Sequence, residues 1–411
     1  MRGLSEKEIA TIARSFVRNS MRIGRRADGK FESVRILYNA TDPSCERMAF
    51  KIEEECWRVG AHTLLLTERC WRARRHYKIS PEKSLKEMSP FAEAISKRAD
   101  VTIYLGEDDD PMWARGLSKK IKLTGPIRQK LHEILDRRKV RWAYFGWPVP
   151  GAARGYGCPV DRFRKIFFDS IRASFTRELL ELCEYYRRAL AGKDRVRITA
   201  DDGTDLTFRI KGRPVLVDDA VISRADLARG DFGLNVPSGE IFVAPLETTA
   251  EGEISFENVA IHGFGKVRGL WLKFRHGKIA DYRAARGETN FTNFLNANTG
   301  EKDRIAEFGI GCNPGAKYTG GSIIIDEKIF GTAHIAIGNN TGAYHGKNKA
   351  SSHLDLIKDM RRGQFAVDGK LVMDRGRPAS YEYKKRKFLE TSEKFRKRME
   401  EKGLRLADLT K

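Results

Sequence analysis

Near residue 192 the periodicity of the chain changes, and that change limits the folds open to it. Before it, short apolar runs suited to buried strands alternate with stretches of helical period. The strand-like runs are SVRILYNA (33–40), HTLLLTE (62–68), ADVTIYLG (99–106) and VRWAYFG (140–146); residues 1–20 and PSCERMAFKIEEECWRVG (43–60) have helical character. Strand, helix, strand with short connections is the pattern of right-handed βαβ units in a parallel sheet. VDRFRKIFFDSIRASFTRELLELCEYYRRALAG (160–192) reads as one long helical stretch. From Arg195 the texture is different. VRITADDGTDLTFRI alternates about an Asp-Gly turn. GEIFVAPLE, GEISFENVAI, GLWLKFRHGKIADYRA, GSIIIDE, GTAHIAIG and GQFAVDGKLVMDRG read as short strands punctuated by glycine. The expectation is an α/β protein in three parts. An N-terminal α/β domain with a parallel sheet covers 1–192, and a β-rich α+β domain covers 193–376. A basic C-terminal tail covers 377–411 and is helical over 380–404.

The 411 residues exceed one ordinary core and suit two domains, and 41% apolar content suits a globular chain. No run of about 18 apolar residues occurs, so no transmembrane helix is expected. The N-terminal MRGLSEKEIATIARSFVRNSMRI carries charges throughout and lacks the apolar stretch of a signal peptide. A cytoplasmic protein is expected. The six cysteines, Cys45, Cys56, Cys70, Cys158, Cys183 and Cys312, form no CxxC pair. They read as reduced, mostly buried thiols, which argues against a cysteine zinc site.

Net charge is +22. One reading is a nucleic-acid partner held through phosphates; the other is a solvated basic surface that keeps the protein soluble. The basic residues are spread widely, with local runs at CWRARRHYK and DRRKVRW. A long basic region starts at Arg375, with 13 Lys/Arg against 6 Asp/Glu.

The segment GTAHIAIGNNTGAYHGKNKASSHLDLI (331–357) holds three of the eight histidines. His353 and Asp355 are separated by one residue, so on a strand both point to the same face. Metal ligands need that fixed convergence. In TAHIAIG, Thr332, His334 and Ala336 share one face of a strand, and Ala333, Ile335 and Ile337 fill the other. His334 alone suits a core histidine as well as a ligand; a neighbouring His-x-Asp adds weight to the ligand. Glu240 in VPSGEIFVAP and Glu307 in RIAEFGIGCNPGA lie beside apolar strands. Acids there are costly to bury unless paired or metal-bound, and otherwise face water at strand ends. Glu327 interrupts the apolar IIIDEKIFG, where a simple turn is the plain alternative. GIGCNPG and GFGKVRG lack nucleotide-loop spacing and read as turns; there is no P-loop.

The blocks SGEIFVAPLETTAEGEISFE, AEFGIGCNPGAKYTGG, DEKIFGTAHIAIGNN and SSHLDLI, in that order, resemble the aminopeptidase T family of metalloaminopeptidases over roughly residues 230–376. The N-terminal half resembles it more loosely, through the α/β pattern and FGWPVPGAARGYGCPVDRF. The resemblance implies two divalent metal ions per chain, zinc, cobalt or similar, in a co-catalytic site. Glu240, Glu307, His334, His353 and Asp355 would be the ligands, with Glu307 bridging. Glu327 would be a catalytic acid that accepts and returns protons. The family tyrosine seven residues after the first histidine is Thr341 here, and a short loop shift would bring in Tyr344 instead. The resemblance also implies short peptide substrates with a free α-amine, and a homodimer enclosing the active sites. His345 has no family match and reads as a loop residue.

Two other readings stay open. A related non-haem iron dioxygenase, which opens dihydroxypyridine rings, needs only two histidines and one carboxylate, and His334, His353 and Asp355 would satisfy it. The presence of both Glu240 and Glu307 favours the two-metal hydrolase. The +22 charge also allows a nucleic-acid-binding protein on the same scaffold.

Overall fold

The structure is a computed structural model that describes residues 3–379. The helix expected over 380–404 lies outside the described residues. The described residues divide into two compact units, one of 3–168 with Ala220–Val236, the other of Asp169–Asp219 with 237–379. No helix among the described residues is long and apolar enough to cross a membrane. All six cysteines are buried.

The first unit is built on a five-stranded parallel sheet, in the order His62–Glu68, Ser33–Asn39, Val101–Leu105, Arg141–Phe145 and Gly233–Val236. Helix Pro43–Arg58 joins the first two strands in sequence. It starts where Asp42 accepts from the Ser44 amide with Pro43 at the first turn, and the chain turns out of it at Gly60, whose φ of +84° suits glycine. The last strand of the sheet comes from residues 233–236, far along the chain from the other four.

The long helical stretch expected over 160–192 is two helices, Val160–Ser174 and Arg177–Leu190. Thr176 breaks it: its backbone is extended and its hydroxyl accepts from the Leu179 amide, an N-cap that competes with helix continuation. GSIIIDE is a second correction. Its β-branched run suggests a strand, yet Ile323–Asp326 is a short helix. The buried Asp326 carboxylate accepts from the Thr319 amide and hydroxyl and from the Gly321 amide, and these bonds coil the segment. Tertiary hydrogen bonding overrides strand propensity here.

The second unit holds two antiparallel sheets. The larger has eight strands and includes Arg195–Ala200, Asp205–Arg209, Glu251–Ile261 and Gly363–Val367. The smaller has five, ordered His353–Asp359, Thr332–Gly338, Ile305–Gly311, Glu240–Val243 and Leu216–Asp218. Side chains alternate between the two faces of a strand. One face of the smaller sheet presents Ile241, Val243, Phe308, Ile310, Ile335 and Leu356, which join Ile198, Phe208, Phe256 and Phe365 of the larger sheet in one apolar cluster. Phe308 is fully buried between the rings of Phe208 and Phe365, at 5.3 and 5.4 Å.

In the smaller sheet the alternation slips between Ile305 and Glu307. Ile305 pairs with Ile337, but Glu307 pairs with Ala336, so the register shifts by one residue between them. Ile305, Phe308 and Ile310 all reach the core, which leaves Ala306 as the extra residue of a β-bulge. Without the bulge Glu307 would share the face of Ile305 and point into the core. With it, Glu307 stands on the opposite face.

Removing the ring that links the two sheets tests this packing. Phe308→Ala is expected to cost about 3–5 kcal/mol, read as a lower denaturant midpoint with an unchanged slope.

Candidate metal centre

The face of the five-stranded sheet opposite the core carries a different set of residues. Glu240 lies across from Gly311 and Asp218, His334 across from Gly309, Asp355 and Glu307 on either side of Ala336, and His353 across from Gly338. Four adjacent strands therefore bring all five ligand-type residues expected from the sequence to one face. The small residues between them make the room. A Cβ at Gly309 would stand 2.0 Å from His334 Nε2, so glycine lets the imidazole lie over the neighbouring strand.

Glu307 occupies the middle. Its Oε1 is 3.1 Å from His334 Nε2 and its Oε2 is 3.1 Å from His353 Nε2. On the first side Glu240 Oε2 lies 3.9 Å from His334 Nε2; on the second Asp355 Oδ1 lies 3.2 Å from His353 Nε2. One carboxylate thus offers an oxygen to each of two ligand groups. Ligand atoms of Glu307, His353 and Asp355 all fall within 4.8 Å of one another.

The histidine nitrogens are not equivalent. His353 Nδ1 lies 2.7 Å from the Asn339 carbonyl, which only accepts, so Nδ1 carries the proton and Nε2 faces the carboxylates. His334 is buried, and its Nδ1 has no hydrogen-bond partner among the described residues, while Nε2 meets Glu307.

Lys328 is the residue that sequence reasoning missed. It is fully buried, 3.0 Å from Glu240 Oε1 and 3.6 Å from Asp218 Oδ2, and it also contacts Glu327. A lysine inside an apolar-flanked Asp-Glu-Lys triplet was the available signal. Its ammonium takes one oxygen of Glu240 and leaves the other toward His334. Asp218 completes the pairing from the edge strand.

Burial and charge decide the protonation of the cluster. Burial pushes the Glu240 carboxyl up, against the pull of Lys328 and His334. Burial and then the charge of Glu240 push Glu327 up to about 8. Glu307 is also raised by burial, but hydrogen bonds and charge from His334 and His353 outweigh it and hold the carboxyl well below the usual range. His334 is opposed by burial, yet its bond to Glu307 and nearby carboxylates raise it to about 9. His353 is raised well above the usual imidazole value, against desolvation, by Asp355 and Glu307. Glu240, Glu307, Glu327, Asp355 and Asp218 outnumber Lys328, and protons held by Glu327, His334 and His353 offset part of the difference. Divalent cations would replace those protons. The donor set of carboxylates and imidazoles fits such ions, with Glu240, Glu307, His334, His353 and Asp355 as the residues that would hold them.

The loop after strand Thr332–Gly338 delivers Tyr344. Its ring lies 5.9 Å from that of His353 and 5.4 Å from that of Phe242. Burial and then the charges of Glu307 and Asp355 raise its phenol well above the usual value, and the hydroxyl also interacts with Glu307. Thr341 bonds instead to Asn339. The loop is tied down by Asn340, which donates to the Ala306 carbonyl and accepts from the Asn348 amide. His345 stays in the loop, at a φ of +54°, its carbonyl accepting from Arg213.

Comparison with known proteins places these features in context. A family model described as thermophilic metalloprotease (M29) matches residues 30–376. Aminopeptidase AmpS of Bacillus subtilis (strain 168) is 23% identical over 189 residues, which cover 41% of this chain and 45% of that protein. The match therefore spans less than half the length of that curated relative. Among solved structures, wild-type AmpT from Thermus thermophilus superposes with a TM-score of 0.69 at 19% identity, over 91% of this chain and 100% of the other. The 2,5-dihydroxypyridine dioxygenase of Pseudomonas putida KT2440 superposes with a TM-score of 0.58 at 15% identity, over 92% and 99%.

Two outcomes follow from the geometry. Gly309→Ala displaces the His334 imidazole and is expected to weaken divalent-metal affinity by about 10–100-fold, measured by titrating chelator-stripped protein. The second concerns pH. A group whose folded pKa is raised lends stability at low pH and loses it as pH rises through that value. His334 shifts from 6.5 to about 9 and Glu327 from 4.5 to about 8. The thermal midpoint of chelator-stripped protein should therefore fall as pH rises toward 9, and saturating Zn²⁺ or Co²⁺ should flatten that fall.

Proposed function

The chain belongs to the thermophilic metalloprotease (M29) family, and from that footing we propose that it is a metal-dependent aminopeptidase that removes N-terminal residues from short peptides through two co-catalytic divalent ions. The observation that carries this reading is the position of Glu307, with one carboxylate oxygen toward His334 and Glu240 and the other toward His353 and Asp355. A bridging carboxylate between two ligand groups is what a two-ion site requires.

When bound, the ions supply Lewis acidity toward the scissile carbonyl and lower the pKa of water to near neutrality. The protein's own groups do the rest. Glu307 spans the two halves and sets their separation. The Asn339 carbonyl orients His353, and Lys328 orients Glu240. With the ions bound, Glu327 would be kept ionised by their charge, and its carboxylate would accept a proton from the attacking water and return it to the leaving amine. Its contact with Lys328 holds that carboxylate in place. The Tyr344 hydroxyl, beside Glu307, is placed to donate to the developing oxyanion. A requirement for a free α-amine makes the activity that of an exopeptidase, and a homodimer enclosing the sites would limit substrates to short peptides.

A mononuclear iron dioxygenase would use His334, His353 and Asp355 alone. It gives no reason for two further acids, Glu240 and Glu307, to be buried on the same sheet face. Metal analysis separates the two. Chelator-stripped protein is titrated with Co²⁺, Zn²⁺ and Fe²⁺ and then assayed on aminoacyl p-nitroanilides and on 2,5-dihydroxypyridine. The expected result is two ions per chain and hydrolysis of the anilide. Glu307→Ala should hold one ion or none and lose at least about 10³-fold in kcat/KM. A single Fe²⁺ indifferent to Glu307, with ring opening, would overturn the proposal.

A further inference from the structure

Much of the chain's positive charge is concentrated. Residues 69–86 and 115–139 carry sixteen Lys/Arg against three Asp/Glu, a net +13 of the total +22. These stretches form four helices of the first unit, Cys70–Ile79, Glu82–Leu85, Ser118–Leu123 and Gly125–Arg137. The helices are joined to one another. Lys120 Nζ donates to the carbonyls of Lys78 and Ser80, both at 3.0 Å. Arg74 donates to the carbonyls of Trp113 and Arg115. The Tyr77 hydroxyl bonds to Thr124 at 3.2 Å, and its ring stacks on Trp113.

The cations of this cluster are not neutralised from within. Among the described residues Arg138 alone of the sixteen reaches a carboxylate, that of Asp100 at 3.1 Å. Elsewhere arginines are paired: Arg197 with Asp205, Arg209 with Asp194, Arg361 with Asp359. Arg72, Arg75, Lys78, Lys119, Lys122 and Arg128 are exposed. A like-charged surface of this density is costly to hold together and gains most from a polyanion that displaces its counterions.

The shape of the cluster narrows the polyanion. A helix that lies on a lipid surface needs a continuous apolar face turned outward. Here Ile121, Leu123, Ile127 and Leu131 are partly buried, and the large apolar side chains left exposed on these helices are Trp71 and Ile79, at 58% and 69%. An isolated indole among arginines suits a base stacked beside a phosphate backbone. We infer that the helices at 70–79 and 118–137 form a binding surface for the phosphate backbone of single-stranded nucleic acid.

The test uses the full chain and a fluorescein-labelled single-stranded RNA of about 20 nucleotides, followed by anisotropy at increasing KCl. Its comparison is the variant Arg72→Glu/Arg75→Glu/Lys119→Glu/Lys122→Glu, whose changes are all at exposed positions. Wild type should bind at low salt and lose affinity steeply as salt rises. The variant should bind at least about tenfold more weakly with a shallower salt slope, while its thermal midpoint and peptide hydrolysis stay unchanged. Three results would overturn the inference: no binding at low salt, equal binding by the variant, or competition by polyglutamate or anionic phosphatidylglycerol vesicles as strong as by unlabelled RNA.

Discussion

The centre of this protein is a shared carboxylate. Glu307 is buried, stays ionised, and meets His334 with one oxygen and His353 with the other. A carboxylate out of water is tolerated only where opposite charge and hydrogen bonds replace its hydration. The rest of the site follows from that requirement. The histidines must approach to within hydrogen-bond distance, the further acids must then be balanced, and Lys328 is drawn fully into the interior to balance Glu240, Glu327 and Asp218. The cluster stays rich in acid, and a divalent cation is the natural complement of such a set.

The sheet makes this crowding affordable in space. Four antiparallel strands set the ligand residues side by side, and the glycines and alanine opposite them leave volume for imidazole and carboxylate. The bulge at Ala306 is the hinge of the arrangement. It turns Glu307 to the site while Ile305 and Phe308 keep their places in the core. The same strand therefore stabilises the unit through one face and presents Glu307 among the candidate ligands on the other. A change in either face is felt by both.

The charge of the chain is arranged in two opposite ways. Around the candidate metal centre, cations and anions are buried together, with acids in excess. On the helices at 70–79 and 118–137, cations are exposed and unmatched by the described residues around them. The first arrangement has the composition of a divalent-cation site; the second is the surface proposed to take a polyanion. The high net charge of the sequence is thus not an even coat over the protein.

Much of this was legible in the sequence because it rests on period. The change in texture near 192 separates strands that alternate with helices from glycine-punctuated ones, although the first compact unit ends at Phe168 and takes in Ala220–Val236. The spacing of His353 and Asp355 placed them on one face, and TAHIAIG sorted its own residues into core and site. The 3-then-2 spacing of Ile305, Phe308 and Ile310 even carries the mark of the bulge. Other features lay beyond reach of period. The Ile run at 323–325 coils because Asp326 finds amide and hydroxyl donors that its own segment does not fully reveal. Lys328 is a site residue only because strands distant in sequence bring Glu240 and Asp218 to it. Tyr344 rather than Thr341 lies beside His353, because Asn340 and Asn348 fix the loop that carries it. The sequence by itself determined which residues share a face, since that depends on neighbours two positions apart. The tertiary structure alone decided which faces meet, because charge balance and burial are properties of residues brought together from far along the chain.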